Sequence, residues 1–132
     1  MLAWLLGKDA GDAVRHALTA AETIVGSDLT LVECERVLIR ASIAGDLSEV
    51  VKTDLQLRLA AAAAAWNLLR LAPEIVERAR RPFPEEPIRI LDALHIASAL
   101  YGRSVIPDLE ILSLDDRVRR VGHALGFAVQ PR

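Results

Sequence analysis

The sequence predicts an α/β fold: a three-layer α/β/α arrangement with a parallel sheet between helices. Three observations carry that prediction. Helical stretches alternate with short β-branched or apolar runs, the pattern of strand–helix–strand units. The hydrophobic share is 52% and the aromatic share only 4%. The core must therefore come from Leu, Val, Ile and Ala, which suits helices on a sheet better than an aromatic-rich barrel. The chain has 132 residues, one domain's worth and enough for one core, so we expect a single domain over 1–132.

The elements follow in order. Leu2 to Leu6 reads as a short helix stopped by Gly7. A second helix runs from about Asp12 to Ala21. Thr23-Ile24-Val25-Gly26-Ser27 is a β-branched run expected as a buried strand. Ser27 or Asp28 caps the next helix, Leu29 to Ala44, which ends at Gly45. Asp46 or Ser48 caps a long helix reaching about Ala64. Its Ala60–Ala65 run has high helix propensity and lets neighbours approach closely.

Trp66 to Leu71 reads as a continuation of that helix or as a strand, and the strand is favoured. Pro73, at the first turn of a helix to Arg80, separates the two. Pro82, Pro84 and Pro87 stiffen an acidic loop holding Glu85 and Glu86. Arg89 to Leu100 reads as a helix apolar nearly all round, hence buried, and ending near Gly102. Glu110 to Ser113 is expected as a strand, Asp115 to Leu125 as a helix, and Phe127 to Val129 as the last strand.

Charge and composition exclude several classes. Sixteen Lys plus Arg stand against 18 Asp plus Glu, a net charge of −2. That is not the balance of a protein gripping long nucleic acid through its net charge. No helix-turn-helix with a basic recognition helix stands out. Cys34 is the lone cysteine, so neither an intrachain disulfide nor a Cys-based zinc site can form. It is expected to pack in the core. No apolar run approaches the roughly 20 residues of a membrane span, and the start lacks a basic leader. A cytoplasmic protein is the expectation. Only Lys8 and Lys52 are lysines, an arginine bias that carries little weight at this level.

The chemistry lies in the carboxylates. Asp92 falls in the first turn of the apolar helix. A half-buried carboxylate needs a compensating partner: a base, a helix N-terminus or a metal. In α/β folds, sites form outside the carboxyl ends of strands. Glu33 follows the first strand by one helical turn, and Asp115 follows the strand ending at Ser113. Glu35 competes with Glu33 for the first role, and Asp116 with Asp115 for the second. Asp115 has a plainer reading as a helix cap, and Asp92 as a charge favoured by the helix dipole; the site reading is preferred for both. Converging carboxylates repel unless a cation holds them, and an all-oxygen site selects Mg²⁺ or Mn²⁺. His16, His95 and His123 lack the i, i+4 spacing of metal ligands, and His95 reads as a core histidine. Arg80, Arg81, Arg117, Arg119 and Arg120 are candidate phosphate contacts, or else a solvated face.

Arg89-Ile90-Leu91-Asp92-Ala93-Leu94-His95-Ile96-Ala97 resembles the (R)-x-L-D-A-L-H-x-A signature of PIN-domain proteins, especially VapC-type toxins of toxin–antitoxin pairs. Ser113-Leu114-Asp115 is similar to that family's [ST]-x-D segment. Val121 to Val129 resembles its closing helix, Gly and strand. Ser27 to Leu38 resembles the segment carrying its second acidic residue, at Glu33. The resemblance implies a Mg²⁺- or Mn²⁺-dependent endoribonuclease with Glu33, Asp92 and Asp115 as catalytic metal ligands. It also implies RNA as substrate, a cognate antitoxin and a homodimer. The family opens with a hydrophobic strand ending in Asp, whereas Leu2 to Gly7 resembles the helix that follows it. On that reading the fold is PIN-like but lacks its first strand and first acidic ligand. Either the start is placed too late, or the chain is a degenerate, inactive PIN-like protein that binds a protein or RNA partner.

Overall fold

Helix capping and glycine placement divide this chain into elements that a computed structural model describes over residues 11–132. The helix expected at Leu2–Leu6 lies outside the described residues. Among those residues are six helices and four short strands. They form two compact units, one ending at Leu68 and one spanning Leu69–Arg132.

The first unit opens with α1 (Gly11–Ala20) and β1 (Val25–Ser27). The Ser27 hydroxyl accepts the Thr30 amide at 3.3 Å and so caps α2 (Asp28–Ile43). The Ser48 hydroxyl does the same for Val51 at 3.2 Å, starting α3 (Glu49–Ala63). Of the two candidates at each start, Ser27 or Asp28 and Asp46 or Ser48, the serine is the cap. α2 and α3 pack as a hairpin, with Cys34 and Leu59 buried between Leu31 and Trp66. Gln56 donates to Glu35 across the hairpin at 2.6 Å. The alanine run buries little: Ala63 is its one fully buried member. β2 (Asn67–Leu69) follows and pairs with β1. The Asn67 amide donates to the Ile24 carbonyl at 2.9 Å.

The second unit is built on α4 (Pro73–Ala79), α5 (Ile90–Val105) and a strand–helix–strand segment. That segment comprises β3 (Ile111–Leu112), α6 (Asp116–Ala124) and β4 (Val129–Gln130). β3 and β4 are parallel, with Ile111 opposite Val129 and Leu112 opposite Gln130. Parallel neighbours need a crossover, and α6 supplies it. The core joins Ile75, Phe83, Ile96, Ile111, Val121 and Phe127, among others. Gly122 lets α6 press onto the strands: a Cβ there would lie 3.1 Å from Ile111 Cδ1 and 3.2 Å from Val129 Cγ2.

The fold class is mixed α/β with short parallel strands, as the sequence predicts. Among the described residues the strands pair two by two, β1 with β2 and β3 with β4. Three details differ. α5 passes through Gly102 to Val105; Leu109 packs against the glycine, where a Cβ would meet its Cδ2 at 2.9 Å. α5 is also two-faced rather than buried all round: Ala93, Ile96, Ala97 and Ser98 are buried, while Ile90 is 82% and Val105 74% exposed. The last strand begins at Val129, not Phe127. After α6 the Phe127 amide turns back to the Gly122 carbonyl at 3.0 Å, with Gly126 at φ +79° making the turn. Phe127 is thereby directed into the core.

No helix among the described residues is long and apolar enough to cross a membrane.

Candidate functional site

Asp92 is the third residue of α5, whose N-cap, Arg89, makes no side-chain cap. The carboxylate is half-buried on the helix. Its Oδ2 is fully buried and has no hydrogen-bond partner among the described residues. Buried polar oxygens are nearly always paired, so this one stands out among the described residues as open to a ligand. Burial pushes the Asp92 carboxyl above its ordinary range, and the charge of Asp115 pushes it further. Arg89, Arg117 and His95 pull it back only in part.

Asp115 approaches from β3. The strand ends, and the Ser113 hydroxyl accepts the Asp115 amide at 3.2 Å. Asp115 Oδ1 then accepts the amides of Arg117 (2.9 Å) and Val118 (3.1 Å), capping α6. The Ser-x-Asp spacing is thus a local hydrogen-bonded turn. It holds one carboxylate oxygen to the helix and sets Asp115 at the carboxyl end of β3. Ser113 serves the backbone here, not a neighbouring carboxylate. Asp115 is both the cap and the charge that opposes Asp92. Its neighbour Asp116 is the first residue of α6 and makes no such contribution to Asp92.

Around Asp115 opens a cleft of about 460 Å³, lined by Arg89, Leu114, Asp115, Asp116, Arg117 and Arg120. The arginines expected as phosphate contacts divide into three groups. Arg80 and Arg81 pair with Glu77 at 3.3 and 3.1 Å. Arg119 is not a phosphate contact. Its guanidinium donates to the carbonyls of Ser113 (2.8 Å), Gln130 (3.1 Å) and Pro131 (2.9 Å), tying the ends of β3 and β4 together. Arg117 and Arg120 do line the cleft, and Arg89 joins them.

Glu33 is half-buried on α2 in the first unit. Its competitor Glu35 is committed to Gln56. Cys34 is buried, its thiol pushed up by desolvation, as a core residue rather than a nucleophile. His95 is half-buried on α5 rather than in the core, and His16 and His123 are exposed. Among the described residues no group of three or more His, Cys, Asp or Glu side chains is gathered to hold a metal. Within the second unit Asp92 and Asp115 form an interacting pair of carboxylates. A pair is enough for Mg²⁺, which is commonly held by one or two carboxylates and keeps several waters. An orphaned buried oxygen beside a second carboxylate fits a hard divalent cation.

The raised Asp92 carboxyl predicts a pH-dependent stability. In the unfolded chain it titrates near the usual value of about 3.9. Between that value and the raised folded one, the folded state holds more protons, so stability falls as pH rises through this window. Above it the cost is complete. With EDTA present, Asp92→Asn is expected to raise Tm at neutral pH. The advantage should shrink to nothing as pH falls below the ordinary carboxylate range. Paired thermal melts from pH 3 to 8 check this; a gain independent of pH would contradict it.

The family model described as the PIN domain matches residues 1–124 of the chain. No curated protein matches it.

Proposed function

Because the chain belongs to the PIN-domain family, a family of nucleases that use divalent metal ions and act on RNA, we propose that it is a Mg²⁺- or Mn²⁺-dependent endoribonuclease, the toxin of a VapC-type, type II toxin–antitoxin pair. On this reading both units belong to one PIN domain. Asp92 and Asp115 are metal ligands and Glu33 is the third. A cognate antitoxin, a homodimer and a cytoplasmic setting belong to the same proposal.

The observation that carries the reading is the buried Oδ2 of Asp92, unpartnered among the described residues, beside Asp115. A bound divalent cation would polarise a phosphoryl oxygen and lower the pKa of a coordinated water for attack on phosphorus. The chain's own groups prepare for it. Asp92 presents a desolvated anionic oxygen whose charge is costly until a cation offsets it. Asp115 is held by two backbone amides, so its position costs no reorganisation when a ligand arrives. The turn at Ser113 sets the direction from which it approaches.

The test is cleavage of a single-stranded RNA by the purified chain with Mn²⁺, repeated in EDTA and with Asp115→Asn. Asn caps a helix as well as Asp does, so this variant removes charge while keeping α6. EDTA is expected to stop cleavage and the variant to lower it at least 100-fold. Cleavage that survives both would overturn the metal reading.

A further inference from the structure

The cleft beside Asp115 holds three arginines that the metal reading does not use. Among the described residues, Arg89, Arg117 and Arg120 make no side-chain hydrogen bond or ion pair. Five other arginines of the second unit are engaged within the protein. Arg78 and Arg103 stack on Phe83 and Phe127 at 4.0 and 3.8 Å, Arg119 ties strand ends, and Arg80 and Arg81 pair with Glu77. Arg89 and Arg117 act on Asp92 only through their charge, so all three guanidiniums keep donors without a hydrogen-bond acceptor among the described residues. They come from separate places in the chain: Arg89 from the N-cap of α5, Arg117 and Arg120 from α6. Arg117 and Arg120 are three apart, which puts them on one face of the helix.

We propose that Arg89, Arg117 and Arg120 form a subsite for the backbone phosphates of a single RNA strand, next to the linkage that is cut. The guanidinium fork matches phosphate oxygens bidentately. The other lining residues define what the subsite ignores. Leu114 is its one apolar member and no aromatic ring lines it, so there is no platform on which a base could stack. It grips the backbone and is blind to sequence. An amphipathic protein segment would find little apolar surface to bury there. Asp115 and Asp116 lie in the same cleft, so an anionic strand is drawn by the arginines on one side and must meet a cation at the carboxylates on the other. The arginines thus place a phosphodiester within reach of Asp115. This subsite rests on the nuclease reading for its substrate, but it is testable apart from cleavage.

The experiment measures binding of a fluorescein-labelled uridine octamer by anisotropy, in EDTA and again in Ca²⁺, from 50 to 300 mM KCl. Wild type is compared with Arg89→Gln, Arg120→Gln, the double variant and Arg80→Gln. On single strands each neutralised phosphate contributes about −0.7 to the slope of log K against log salt. Each cleft variant is expected to flatten the slope by about that amount and to weaken binding several-fold at 100 mM salt. The double variant should lose more than tenfold, and Arg80→Gln nothing. Octamers of adenosine and cytidine should bind like uridine. Cleft variants with wild-type affinity and slope would overturn the subsite, as would wild type that binds no octamer in either condition. Tighter binding of a labelled octaglutamate peptide than of RNA would overturn it in favour of an acidic protein segment. Manganese-dependent cleavage by the same samples is scored separately. Cleavage with unchanged cleft variants removes the subsite and leaves the nuclease; arginine-dependent binding with no cleavage removes the nuclease and leaves the subsite.

Discussion

Replacing Asp92 with Asn is expected to lower Mn²⁺-dependent kcat/KM on RNA by about 1,000-fold or more, equivalent to about 4 kcal/mol of lost transition-state stabilisation. The substitution keeps the shape of the side chain and its place in the first turn of α5. It removes the one charge in the second unit whose buried oxygen lacks a partner among the described residues. The folded protein should gain stability in EDTA from the same change, because burial and Asp115 both oppose ionisation there. Loss of activity with a gain in stability distinguishes a functional carboxylate from a structural one. A structural carboxylate would lose both. Steady-state cleavage and thermal melts on one preparation separate the two outcomes.

Arg119→Ala is expected to destabilise the protein by about 3 kcal/mol, and to lower Tm by roughly 10 °C. Three charge-assisted hydrogen bonds disappear at once, to Ser113, Gln130 and Pro131. The Gln130 carbonyl keeps the Ser113 amide at 3.0 Å, so the loss is less than three full bonds. Lysine cannot reproduce a fork that reaches three carbonyls, and Arg119→Lys should recover less than half. Asp115 lies between Ser113 and Arg119 on the chain, so cleavage should fall with the alanine variant even well below its Tm. An unchanged Tm would show that water replaces the guanidinium without cost.

These two residues show what the chain declares and what it conceals. The placement of Asp92 and Asp115 is legible because it follows from local pattern: a carboxylate in an apolar helix, and Ser-x-Asp after a short apolar run. The structure adds that the second pattern is a turn whose serine binds backbone. Most helices are legible for a similar reason, since Ser27, Ser48 and Pro73 are local start signals.

Arg119 is opaque because its acceptors lie 11 and 12 residues away at a strand end. In sequence it is one of a cluster with Arg117 and Arg120, and nothing local separates the strand tie from the cleft arginines. The arginine bias likewise has a structural use: Arg78 and Arg103 combine a stacked ring with a carbonyl acceptor, a geometry lysine lacks. Arg89 is part of the helix motif, yet its place in the cleft emerges only when α5 and α6 are brought together. The start of β4 is concealed by Phe127, which reads as a strand residue and is instead core. Gly102 reads as a stop, and the close packing of Leu109 makes it a contact.

On the proposed reading Asp92 and Asp115 are paired to hold a divalent cation. Calorimetric titration of Mn²⁺ into metal-free protein tests it most directly. Wild type is predicted to bind Mn²⁺ with a saturable heat that Asp92→Asn and Asp115→Asn each abolish or weaken at least tenfold, while both variants remain folded. Equal binding by all three proteins, or none by the folded wild type, would contradict it.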